Sequence, residues 1–137
     1  EKLLDINTND DFDLLKDEAL LGNIAKTNKL LGETILETEK KIYYLFSINR
    51  RLNKIAEVKR KSAEASIEKT IDNLKPSIFW KDKPNLISQT KKWNLSKIKS
   101  VIDQTYEIEL KIKSNSLINK DVLIKKLILD ICCLANS

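Results

Sequence analysis

Lysine and tryptophan stand side by side twice in the second half of the chain: Lys81 and Lys83 flank Trp80, and Lys91 and Lys92 precede Trp93. Indole rings stack on bases and ammonium groups track phosphates, the usual way of holding single-stranded nucleic acid. A helical core with charged edges produces the same juxtaposition. On that plainer account Phe79, Trp80 and Trp93 are aromatic anchors turned into the protein, with lysines at its rim. A basic helix face carrying Arg50, Arg51, Lys54, Arg60 and Lys61 supplies the candidate DNA-facing residues.

Acid–base and metal chemistry find less to work with. There is no histidine, so the commonest general base near neutral pH and the commonest metal ligand are both missing. Glu107 and Glu109 lie about 200° apart on a helix and point away from each other. Asp10, Asp11 and Asp13 read as helix-start residues and lack the spacing of a calcium loop. Cys132 and Cys133, being adjacent, cannot close an unstrained disulfide with each other and are expected as small buried hydrophobes. Gly22 and Gly32 are the only glycines, too few for a phosphate-cradling loop. No catalytic residue, cofactor or metal is assigned.

Helical periodicity runs along the whole chain. A first helix, capped by Asp10 or Asp11 and preceded by a flexible lead-in over 1–9, is expected to end at Gly22. Asn23 starts a short helix over 24–31, stopped by Gly32. A long helix follows from about residue 33 or 34 to 61, with Leu45, Ile48, Leu52 and Ile55 facing a core and Ile42 and Phe46 widening the stripe. Ser62 is expected to cap a helix over 63–74, and Pro76 disfavours helical geometry before it. Residues 77–83 form an irregular link that turns Ile78, Phe79 and Trp80 inward.

Pro84 suits the first turn of a helix reaching Trp93. Asn94 or Ser96 caps the next, to about residue 114. There Ile98, Val101, Thr105, Ile108 and Ile112 make one apolar face, and Leu95, Ile102, Tyr106 and Leu110 make a second. Asn119 caps a last helix over 120–135, apolar nearly all round. The expectation is a single all-α bundle of about seven helices spanning 1–137.

Composition agrees with one domain. In 137 residues, 42% are hydrophobic and 33% charged, a globular balance. Residues 1–46 carry ten acids and six bases, whereas 47–137 carry nineteen bases and ten acids, so an acidic front meets a basic remainder. A chain opening Glu1-Lys2 with no methionine is expected to be processed or part of a longer protein, read here as its C-terminal piece. No basic stretch followed by an apolar one opens these residues, and no run approaches the roughly 18 apolar residues of a membrane span. A cytoplasmic location without membrane attachment is the expectation.

Three strings in fixed order carry a resemblance: P-S-I-F-W-K-D-K from Pro76, K-K-W ending at Trp93, and E-I-E-L-K-I-K-S from Glu107. Together with FDLLKDEALLGNIAKTNKLL over 12–31 and the paired Arg50 and Arg51, they resemble the C-terminal region of the bacterial DNA polymerase III delta subunit, a clamp-loader component. The chain departs from that pattern after Gly32-Glu33, where no proline follows, and near Ser114-Asn115, where the family often has glycine. The resemblance implies a collar-type helical domain without catalytic activity, holding delta beside motor subunits of the gamma/tau type and a delta-prime-type subunit. It implies contact with the sliding clamp only through an N-terminal part not included here, and weak DNA contact at most. Tyr106, Glu109 and Lys113 are the interface candidates. The alternative is a basic helical nucleic-acid-binding module.

Overall fold

The computed structural model describes residues 2–114 and 119–137. Among these the protein is an all-α bundle: α1 (Lys2–Leu21), α2 (Ile24–Glu33), α3 (Lys41–Lys61), α4 (Ile67–Asp72), α5 (Lys83–Lys92), α6 (Leu95–Ser114) and α7 (Lys120–Ala135), with a 3₁₀ turn over Thr38–Lys40. No helix of the described residues is long and apolar enough to cross a membrane.

Helix α1 packs on α7 and α5, and α3 packs on α6. The shared core is built from stripes at three- and four-residue spacing. Helix α3 buries Leu45, Ile48, Leu52 and Ile55, and α7 buries Ile124, Leu127, Ile128 and Ile131. From α1, Phe12 stacks on Tyr44 with ring centroids 4.2 Å apart. The Tyr44 hydroxyl accepts the Glu37 amide at 2.9 Å, so this buried ring does not leave its polar tip unpaired.

Turn chemistry closes α1 as its glycine implies. Gly22 has φ +75°, its N–H donates to the Ala19 carbonyl, and the Asn23 N–H donates to Glu18. This is the pair of bonds that satisfies carbonyls at a helix end in the left-handed cap. The Asn23 side chain then accepts from the Lys26 amide to start α2. Asn119 starts α7 in the same way, accepting from Asp121 and Val122. Lys41, buried, reaches Asp121 at 2.7 Å and ties the first turn of α3 to that of α7.

Several boundaries differ from the periodicity. The first helix runs from Lys2, so positions 10 and 11 lie within it and not at its start, and 2–9 are helical. Gly32 sits inside α2, which ends one residue later at Glu33, where the Thr34 amide bonds the Leu30 carbonyl. Helix α3 starts at Lys41, later than 33 or 34, because the Glu37 amide is taken by a tyrosine hydroxyl instead of a helical carbonyl. Ser62 closes α3, its N–H on Val58, and Ser66 is the residue that caps α4 by accepting from the Lys69 amide. Ile42 and Phe46, expected to widen the α3 stripe, face outward.

Candidate functional site

Trp93 is the one tryptophan that anchors. It is fully buried at the end of α5, and its indole Nε1–H donates to the Leu20 carbonyl at 2.8 Å. Phe79 and Trp80 do not anchor: they are 62% and 72% exposed. Their rings lie 6.0 Å apart, and the Lys81 ammonium sits 5.4 Å from the Trp80 ring centroid, within cation–π range. Only Ile78 of this segment packs against the core. The reason is local: the Asp82 amide bonds the Phe79 carbonyl, a tight turn just before α5 that sends the two rings away from the bundle.

Beside this knot, Phe46, Arg50 and Lys54 of α3 face Pro76, Ile78 and Phe79 across an open groove of about 560 Å³. Arg50 and Lys54 also line an adjoining hollow of about 280 Å³, shared with Lys16 and Tyr43. Aromatic and cationic groups from distant parts of the chain thus meet on one side of α3.

The five basic candidates divide. Arg51 is not DNA-facing: its side chain is 9% exposed and its guanidinium makes a forked pair with Asp82 at 2.7 and 2.9 Å. Its Nε–H donates to Gln89 Oε1 at 2.6 Å, and Asp17 lies 4.0 Å away. The helical register that puts Arg50 outward turns its neighbour into the bundle. Lys54 and Lys61 both grip Glu57, at 3.1 and 2.8 Å, and these bonds hold its carboxyl below the usual glutamate range. Arg50 and Arg60 are exposed and make no ion pair among the described residues.

Gln89 and Asp17 complete a network that periodicity missed. Gln89, buried, donates through Nε2 to both the Asp17 carbonyl and its carboxylate at 3.2 Å. Burial pushes the Asp17 carboxyl up, against the pull of Lys16 and Arg51. Asp82 falls in the link over 77–83, where the sequence assigns it no role, and nothing in the local pattern marks Gln89 as buried.

On α6, Ile98, Val101 and Thr105 are buried, and the Thr105 hydroxyl reaches Asn49 of α3 at 2.9 Å. The second strip is uncovered: Tyr106 is 63% exposed, with Leu95 and Leu110 also outward and Ile102 half-buried. Glu109 and Lys113 pair with each other at 2.8 Å along the same helix. Cys132 is buried, its thiol 3.7 Å from the Thr27 hydroxyl, whereas Cys133 faces outward, against the expectation that both would be buried. One register step on α7 separates the two. No cluster of three or more histidine, cysteine, aspartate or glutamate side chains suited to a metal is present among the described residues.

Geometry therefore defines an all-α bundle with an uncovered apolar strip on one helix and an exposed aromatic–basic knot beside another. Comparison with protein-family models, curated proteins and solved structures gives no match to this chain.

Proposed function

We propose that the bundle is an assembly module, the collar-type domain of a clamp-loader delta subunit, holding that subunit beside its ATP-driven neighbours. The observation that carries this reading is α6. It satisfies the core with one face yet presents Leu95, Tyr106 and Leu110 along another, apolar surface that a partner helix would cover. The ordered strings from Pro76 to Glu107 support the same assignment. Size-exclusion chromatography with light scattering tests it, mixing the chain with gamma/tau-type motor subunits and a delta-prime-type subunit. Co-elution as a defined heteromer is expected; elution of the chain alone overturns the reading.

One observation favours a second role at the turn beside α3. Exposed Phe79 and Trp80, with Lys81 over the indole and Arg50 across the groove, form a stacking platform with cations beside it. Such a surface holds single-stranded nucleic acid in a salt-dependent way, because each phosphate contact releases counterions. Titration of an oligonucleotide against tryptophan fluorescence at two salt concentrations is the test. Quenching that weakens with salt supports the role, and its absence at low salt removes it.

A further inference from the structure

We propose that Arg51 is the positioning residue of the exposed aromatic knot: its forked pair with Asp82 is a clasp that fixes how the bundle presents Phe79 and Trp80. The inference rests on the nucleic-acid role of that knot for its functional meaning, and on geometry alone for its structural content.

Asp82 immediately follows the knot and caps its turn, its amide on the Phe79 carbonyl at 2.9 Å. Its carboxylate is held by both terminal nitrogens of Arg51 at 2.7 and 2.9 Å. Two parallel bonds define a plane as well as a distance, which a single ammonium contact does not. The guanidinium is itself immobilised from behind, by Gln89 Oε1 at 2.6 Å and by Asp17 at 4.0 Å. Helix α1, helix α3, helix α5 and the turn thus converge on one side chain.

Other restraints on the turn are weaker. Ile78 is its one residue packed on the core, and Lys83 pairs with Asp72 through exposed groups at 2.6 Å. Loss of the clasp leaves the helices in register and frees the turn between them. The aromatic pair would then be ordered only on meeting its ligand, and binding would carry that entropic cost.

Fluorine NMR of the chain labelled with 5-fluorotryptophan reads this without any ligand. Trp80 and Trp93 give separate resonances, assigned with Trp80→Phe. In Arg51→Lys, which keeps the charge and loses the fork, and in Asp82→Asn, the Trp80 resonance is expected to narrow and move to the free 5-fluorotryptophan position while Trp93 holds. A Trp80 resonance that stays put in Asp82→Asn overturns the proposal. So does one that moves only together with Trp93, which would make Arg51 a general strut. Asp82 is partly exposed, so its variant decides the matter if the arginine variant does not fold. Failure of the unsubstituted chain to bind an oligonucleotide sinks the nucleic-acid role and leaves this result untouched.

Discussion

The indole of Trp93 donates to the carbonyl of Leu20 across 73 positions of sequence. Leu20 lies in the last turn of α1, where carbonyls have no partner within the helix. One side chain thereby satisfies a helix end and fills the core between α1 and α5. Trp93→Phe strands that carbonyl, at about 1–3 kcal/mol, and leaves a cavity that adds to the loss. Chemical denaturation should show a lower midpoint with an unchanged slope.

Trp80 should behave in the opposite way. With most of its surface in solvent, Trp80→Ala is expected to shift stability by no more than about 0.5 kcal/mol, as surface changes usually do. A loss near the several kcal/mol typical of a truncated core aromatic would mean that the ring is an anchor after all. The same variant should abolish the readily quenched part of the tryptophan emission.

The two glycines should respond with opposite signs. Gly22 has positive φ, and a Cβ there would come within 2.8 Å of the Asn136 side chain. Gly22→Ala should therefore cost about 1–2 kcal/mol. Gly32 is helical with open space around it, and Gly32→Ala should stabilise by about 0.5–1 kcal/mol. Thermal melting of both variants checks the pair.

Two carboxylates give opposite pH dependence. Glu57 is shifted down by its lysine partners, so its contribution is present above the ordinary glutamate range and lost as pH falls through its folded value. Asp17 is shifted up by burial; its contribution is greatest below the ordinary aspartate range and lost as pH rises through its folded value. Unfolding midpoints from about pH 3 to pH 7 should fall less steeply toward acid in Glu57→Gln. In Asp17→Asn they should no longer decline on the rising side of the aspartate range.

On α6, Lys113→Glu sets two like charges four residues apart and weakens the helix by a few tenths of a kcal/mol. Glu109→Lys combined with Lys113→Glu restores the pair in reverse order. If the helix face meets a partner subunit, the double variant recovers helicity without recovering assembly, and Tyr106→Ala also weakens assembly. Recovery of both would confine the pair to a role within the helix.

Most helices were legible from apolar spacing, and on α3 that spacing picked out the buried Leu45, Ile48, Leu52 and Ile55. Helix α6 offered two apolar faces and α7 nearly its whole surface, so spacing could not say which side of either is inward. Gly22 and Asn119 were legible because their side chains, or lack of them, act within a few residues. The start of α3 was not, since it depends on Tyr44 claiming the Glu37 amide. Orientation of Phe79 and Trp80 also escaped, because aromatic content signals burial and a turn decides otherwise. Arg51 looked like its neighbour Arg50, and only Asp82 and Gln89, 31 and 38 positions away, set them apart.

The Asn136 amide donates to the Gly22 carbonyl at 2.7 Å, joining positions 114 apart, and α7 lies along α1. During synthesis the α1–α2 corner therefore waits, its glycine carbonyl unclaimed and its apolar face open, until α7 has left the ribosome. Closing so long a loop is slow relative to forming local helices. The α1–α2 corner is thus among the last parts of the bundle to be secured, after the local helices have formed.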